Sequence, residues 1–393
     1  MTDLQNVLLL GRRLQDEVIA PMKRAFVAKD EIIDLLGVAL VAGENIFLHG
    51  PPGTAKSALV HDLCSRLHGR SFDYLLTRFT EPNELFGPFD IRRLREGELV
   101  TNTEGMLPEA SLVFLDELLN ANSAILNSLL MALNERIFRR GRESRALPVV
   151  SFIGASNHLP EDDALRALFD RFLLRVRSDN VPSDRLNEVL SAGWQLQHRT
   201  PSESTLSFDD LRALHSLHSS VQLGEIAKPL AELITRIRTA GMTVSDRRAV
   251  RLQRAIAGST LLCGRLEARV SDLWVLKHIW DTEEQQEPLR AIVQSFIDAV
   301  PEASGDHPRA RSADEPDPEG LARDLELIEQ QASSLKPETA AFAQARDRLT
   351  LIEARIPWVQ DIAKRELLST TASALWQKLS VQKPLANSSP SSS

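Results

Sequence analysis

The sequence predicts an α/β fold, a parallel sheet covered by helices on both faces, followed by an all-helical domain and a helical C-terminal extension. Three observations carry this prediction. Short apolar strand patterns alternate with helical periodicity from residue 45 to about 177. Strand signals vanish from about 182 to 295, where leucine, alanine and isoleucine recur at helical spacing. Between an apolar run and a helix-compatible stretch stands Gly50-Pro51-Pro52-Gly53-Thr54-Ala55-Lys56-Ser57, which reads as a phosphate-cradling loop.

Taken in order, residues 3–42 are helical in period, through Leu4, Val7, Leu8, Leu14, Val18 and Ile19, then Ile32, Ile33, Leu36, Ala39 and Leu40. The intervening Ala25-Phe26-Val27 should be extended. Next come a strand over 45–49, a helix over 55–68 and strands over 72–77 and 111–115. A helix over 121–135, a strand over 149–155, a helix over 163–170 and a strand over 172–176 complete an α/β domain expected to span 1–180. A helical domain over 181–297 follows. The segment 301–320 holds four prolines and six acidic residues with almost nothing to bury, so 298–320 is expected to be a linker or disordered loop. Beyond it, Leu321, Leu325, Ile328, Ala332 and Leu335, then Phe342, Ala345, Leu349, Ile352 and Ile356, form two apolar stripes separated at Pro337. Two helices packed as a hairpin would bury both, and with a third helical stretch over 358–380 they make a region expected over 321–382. The Ser/Pro-rich tail 383–393 should fray.

Composition excludes several classes. A chain of 393 residues, 43% hydrophobic and 25% charged, has room for two or three ordinary domains. A net charge of −8 with a pI near 5.7 argues against general nucleic-acid binding. Two distant cysteines, Cys64 and Cys263, in helix-like apolar settings point to reduced core residues and a cytoplasmic location. No stretch reaches the length of a membrane span, and Met1-Thr2-Asp3-Leu4-Gln5 lacks the layout of a signal peptide.

The loop sets the chemistry. A triphosphate needs backbone N–H donors at a helix N-terminus, an ammonium on its β/γ oxygens and a hydroxyl on Mg²⁺. Gly53, Lys56 and Ser57 supply these roles, while Ala55 occupies a position usually held by glycine and calls for a helical backbone there. Ser111-Leu112-Val113-Phe114-Leu115 reads as a buried strand ending in Asp116-Glu117. Asp116 would hold the Mg²⁺ shell and Glu117 would orient or deprotonate the attacking water. Asn157, ending the apolar run from Phe152, is a candidate to position that water. Arg171, between a helix and a strand, is a candidate to reach a neighbouring subunit's nucleotide and stabilise developing charge. In the helical domain Ser245 or Asp246 caps a helix whose first turn carries Arg247 and Arg248, an unfavourable dipole placement that suggests a phosphate partner. Arg247 is the favoured residue of the two.

These elements, in this order, resemble the AAA+ ATPases. The runs Glu84-Leu85-Phe86-Gly87-Pro88, Glu104-Gly105-Met106-Leu107-Pro108-Glu109-Ala110 and Ala132-Leu133-Asn134-Glu135-Arg136 narrow the resemblance to the MoxR family, and within it to the RavA group. The resemblance covers residues 5 to about 295. It implies a P-loop AAA+ parallel-sheet sandwich with an all-helical lid, ATP and Mg²⁺ as cofactors, and a homo-hexameric ring with nucleotide between subunits. It implies nucleotide contacts from Phe26, Val27, Gly50, Pro51, Pro52, Gly53, Thr54, Ala55, Lys56, Ser57 and Ala58, metal contacts from Ser57 and Asp116, and a catalytic set of Glu117, Asn157, Arg171 and Arg247. It further implies a helix-two insertion near 84–102 and a hairpin near 136–148, where Arg136, Arg139, Arg140, Arg142 and Arg145 would form a solvated basic loop or meet a neighbour or client. Family members often remodel a client together with a partner carrying a von Willebrand factor A domain. RavA-like proteins also insert a β-rich domain that binds a decarboxylase, and only the acidic segment 301–320 stands at that point here. Lid closure through Arg247 would turn hydrolysis into motion. Two other readings compete with this motor: a nucleotide-gated scaffold with little hydrolysis, and a DNA-acting relative favoured only by the arginine-rich hairpin.

Overall fold

The computed structural model describes residues 2–140, 143–198, 206–311, 318–332 and 362–381, with isolated positions between 342 and 356. Five strands form one parallel sheet: β1 Ile46–His49, β2 Ser71–Leu75, β3 Leu112–Asp116, β6 Ser151–Ser156 and β7 Leu174–Arg177, in the order β2-β3-β6-β1-β7. The two remaining strands, β4 Ile137–Arg140 and β5 Glu143–Ala146, make an antiparallel hairpin. All five parallel strands fall within or beside the apolar runs that announced them. Strands β1, β3 and β6 are apolar because they are covered on both faces, and every residue of β1 and β6 is buried.

Helix boundaries follow local chemistry. The helix Ser123–Glu135 starts where Asn122 Oδ1 accepts the amides of Ala124 and Ile125, both at 3.1 Å. The helix Asp30–Ala42 ends at Gly43 with φ 66°. Of Ala25-Phe26-Val27, expected to be extended, only Phe26 is so, at φ −119°, ψ 105°; Ala25 still closes the preceding helix and Val27 lies in a turn. One irregularity had no sequence signal, a π-helical turn over Gln15–Ile19 inside the first helical stretch.

The helical domain packs tightly on the sheet domain. Its helix Asp246–Leu262 lies against Asp30–Ala42 where Gly258 permits a close approach: a Cβ there would stand 2.9 Å from the Ala42 Cβ. Arg251 reaches across to Glu44, a carboxylate only 2% exposed.

Contacts divide the chain into two compact units, Met1–Arg311 and Ser312–Ser393. The expected linker over 298–320 is therefore corrected in its first part. Residues 301–311 are held on the first unit: His307 is 2% exposed and stacks on Trp274 at 4.6 Å, Ala310 is fully buried, and Arg309 Nε donates to Asp34 at 3.1 Å. Burial pushes His307 down to about 3, so the imidazole is neutral and its Nδ1 accepts the Arg309 amide. Composition concealed this, because one histidine and one alanine do the burying. In the second unit Leu321, Leu325 and Ile328 share a core with Phe342, Ala345, Leu349, Ile352, Ile356 and, from the helix Ile362–Val381, Leu368, Ala372 and Leu375. Both apolar stripes are thus buried together. Ala332 as a side chain, Leu335, Pro337 and the tail 383–393 lie outside the described residues.

A chain ending at Arg311 should melt as the first unit does in the full protein, whereas one ending at Asp298 should lose several degrees of midpoint, because Trp274 and Asp34 lose their cover. Calorimetry of the two truncations checks this.

Candidate nucleotide site and its relatives

The parallel register brings the C-terminal ends of β1, β3 and β6 together, with His49 opposite Ser156 and Leu115 opposite Gly154. The residues that follow these ends therefore meet. Lys56 opens the helix Lys56–Ser65, and its ammonium donates to the carbonyls of Gly50 at 2.6 Å and Pro51 at 2.9 Å and to Asn157 Oδ1 at 2.8 Å. Asn157 Nδ2 donates in turn to Glu117 Oε1. Ser57 Oγ donates to Asp116 Oδ2 at 2.7 Å, and the Glu117 amide donates to Asp116 Oδ1 at 2.9 Å. Burial lowers the Lys56 pKa, with Asp116 and Glu117 pulling the other way.

Two non-glycine residues here are left-handed. Glu117 has φ 49° and ψ 40°, a bend that turns the chain out of β3 and aims its carboxylate at Asn157. Ala55 has φ 68° and ψ 19°, so its backbone is helical in the opposite hand to the helix it precedes. Pro51, Pro52 and Gly53 are exposed, and nothing lies within 4 Å of a Cβ built on Gly53. Of the remaining loop-side candidates, Phe26 is buried, Val27 half-buried and Ala58 exposed.

Two residues at this site carried no sequence signal. Lys29, 5% exposed, donates to Ser178 Oγ at 3.3 Å and to the Asp179 carbonyl, and Ser178 Oγ donates to the Thr54 carbonyl at 2.9 Å. A buried lysine thus braces the loop through a serine 149 residues away in sequence. Burial is the main cause that pushes Lys29 down to about 8, with Asp179 opposing and Lys56 adding. The fit is close, since a Cβ at Gly50 would stand 2.1 Å from the Ser178 carbonyl oxygen.

The arginine candidates lie elsewhere. The Arg171 carbonyl accepts from Asn45, just before β1, and from Arg251. The Arg171 backbone therefore stands at the N-terminal edge of the sheet, the length of β1, about 13 Å for four residues, from the end where the loop begins. Arg247 Nη2 donates to Asn134 at 3.1 Å, and both Arg247 and Arg251 help lower the Arg171 pKa, although burial is the main cause and Asp170 opposes it. Arg248 turns inward, 6% exposed, onto Asp281. The basic hairpin is corrected too. Arg136 bonds Asn45 at 2.7 Å, Arg140 bonds Gly87 at 2.7 Å, and Arg145, still part-exposed, bonds Thr103 at 2.8 Å, while Arg139, paired with Glu135, is the most exposed of these four. Arg142 lies outside the described residues.

Residues 12–216 match the family model of the MoxR domain in MoxR-vWA-beta-propeller ternary systems, and residues 225–293 match an AAA lid domain. The chain belongs to the MoxR family of AAA+ ATPase domains. Two uncharacterised proteins of Methanocaldococcus jannaschii are 37% identical over 258 residues and 35% identical over 262, covering 65% and 66% of this chain and 67% and 69% of theirs. The chaperone MoxR1 of Mycobacterium tuberculosis is 25% identical over 44% of this chain and 47% of its own length. In fold, the crystal structure of an inferred ATPase from Cytophaga hutchinsonii superposes with a TM-score of 0.61 at 18% identity, over 75% of this chain and 97% of that one. Among the described residues of this MoxR-type protein no helix is long and apolar enough to cross a membrane.

Two outcomes test the geometry. Left-handed alanine costs about 1–2 kcal/mol and glycine loses about 0.5–1 kcal/mol of chain entropy, so Ala55→Gly should stabilise the fold by up to about 1 kcal/mol in urea unfolding. For Lys29, folded and unfolded chains are both protonated below about 8, and between about 8 and 10.5 only the unfolded chain keeps the proton. Stability should therefore gain about 3 kcal/mol as pH rises through that window. Lys29→Met should abolish that gain in parallel unfolding curves.

Proposed function

We propose that this MoxR-family protein hydrolyses ATP with Mg²⁺ at the seams of a homo-hexameric ring. The observation that carries the reading is the single hydrogen-bonded set joining Lys56, Asn157 and Glu117, with Ser57 on Asp116 beside it. The backbone amides of Gly50 through Ser57 and the Lys56 ammonium would cradle the β- and γ-phosphates, with Phe26, Val27 and Ala58 toward the nucleoside. Ser57 and Asp116 offer hard oxygen donors 2.7 Å apart, which fits Mg²⁺, an ion that takes one or two protein oxygens and completes its shell with water and phosphate. Bound there, the ion would neutralise charge on the phosphate oxygens.

Glu117 would accept the proton of the attacking water while Asn157 holds the carboxylate and the lysine in register. Arg171 and Arg247 pair with Asp170 and Asn134 rather than with the loop of their own protomer. They would serve the next protomer, stabilising the charge that grows on the transferring phosphoryl group, an effect worth about 10³–10⁵ in rate.

The wider role belongs to the same proposal: remodelling of a client protein in the cytoplasm, with a von Willebrand factor A domain partner and a β-propeller partner of the kind the matched family description names. The finer likeness to the RavA group rests on sequence alone. A nucleic-acid substrate has less support, since the hairpin arginines are bonded internally.

Steady-state ATP turnover tests the reading: Lys56→Ala and Glu117→Gln should each lose at least about 100-fold. Mixing Lys56→Ala with Arg171→Ala in equal amounts should restore about a quarter of the wild-type rate, because about one seam in four of all those formed carries both intact halves. Equal rates in all variants would dismiss hydrolysis here, and mixed rings without recovery would dismiss the shared site.

A further inference from the structure

Bracing alone does not account for the buried lysine behind the phosphate loop. Lys29 stands at the start of the helix Asp30–Ala42, the end at which a helix dipole opposes a cation, and it is 5% exposed. Its ammonium donates to two neutral oxygens, Ser178 Oγ at 3.3 Å and the Asp179 carbonyl. Among the described residues no carboxylate pairs with it, and the Asp179 side chain accepts instead from Arg177 Nε at 2.7 Å. An interior charge without a counter-charge is costly. The brace needs no charge, since Ser178 Oγ reaches the Thr54 carbonyl as a donor in its own right.

Two ammonium groups therefore flank the loop. Lys56 faces Asn157, with Asp116 and Glu117 near enough to favour its proton. Lys29 lies behind, one serine away from the Thr54 carbonyl. The charged groups that act on Lys29 are Asp179, which favours its proton, and Lys56, which opposes it across the loop. The backbone between them is tightly fitted: Ser178 is fully buried, Thr54 is 3% exposed, and a Cβ on Gly50 would collide with the Ser178 carbonyl. With little water between front and back, a phosphate charge on the loop is felt at Lys29.

We propose that Lys29 is a positioning residue of the nucleotide site, acting through the loop without touching the ligand: phosphate seated in the loop supplies its missing counter-charge, and binding draws a proton onto its amine. The role presupposes the nucleotide proposed for the loop. The proton comes from the buffer and adds to the nitrogen lone pair, and no other bond forms or breaks. Burial is the main cause that holds the amine of the empty site down to about 8. The liganded form then carries more protons than the empty one, so affinity falls as pH climbs past that value.

Titration calorimetry of the full chain with magnesium ADP tests this, at pH 7 and pH 8.5, each in two buffers of different ionisation enthalpy. A tenfold rise in proton affinity on binding predicts uptake of about half a proton per site at pH 8.5 and about a tenth at pH 7, with Kd weakening about threefold between them. Lys29→Met, close in length and free of the buried charge, should take up none and bind about tenfold more weakly at both pH values. Lys29→Arg, charged throughout, should keep the tight Kd at both and also take up none. Unchanged uptake in Lys29→Met assigns the proton to Lys56 and overturns the inference. Wild-type binding without uptake overturns it while leaving the nucleotide reading intact, whereas no binding of magnesium ADP at either pH dismisses both.

Discussion

The hydrogen bond from the Lys56 ammonium to Asn157 is the contact on which the candidate site depends. It joins the loop after β1 to the end of β6, and Asn157 passes the connection to Glu117 at the end of β3. Parallel pairing makes it possible, because a slip of one residue in β6 would turn Asn157 to the other face. The sheet therefore works as an alignment frame. The apolar packing of Phe47, Phe114 and Phe152, each no more than 2% exposed, holds polar groups from three distant sequence positions within hydrogen-bond reach.

Strain and buried charge gather where that frame ends. Ala55 and Glu117 are left-handed, and Lys29 sits almost without solvent behind the loop. Each costs stability and each constrains the loop or the acidic pair, so local stability has been exchanged for fixed geometry. The Lys29, Ser178 and Thr54 chain also ties the loop to the residues that lead out of β7 toward the helical domain.

Much of this was legible in the sequence because period and punctuation report burial directly. The alternation of β1, β3 and β6 with amphipathic helices, and the Gly50 to Ser57 loop, are local patterns that the packed core then confirms. What escaped was tertiary. Lys29 looks like an ordinary polar residue before a helix, and its partners lie far along the chain. His307 and Ala310 sit in a run of prolines and acids that composition marks as solvated, yet the stack on Trp274, buried Ala310 and the bond from Arg309 to Asp34 hold the segment down. The hairpin arginines look like a basic surface until the carbonyl and amide oxygens that receive Arg136 and Arg140, and the Thr103 hydroxyl that receives Arg145, are seen. Arg247 was read from its helix start alone, and periodicity cannot say toward which end of the sheet a helix will dock.

Among the bonds that fasten the helical domain are Arg251 on Glu44, Asp281 under Arg175 and, third, Glu283, which accepts from Arg177 at 3.2 Å and pairs with His49 Nε2 at 2.9 Å. His49 directly precedes Gly50, so the third fastening grips the root of the phosphate loop. A hinge needs a free side, and Arg175 and Arg177 of β7 are both bonded to the helical domain. Stress generated at the loop would pass through the body undivided, as through a rigid spoke, and strain would be relieved only at the joints between spokes.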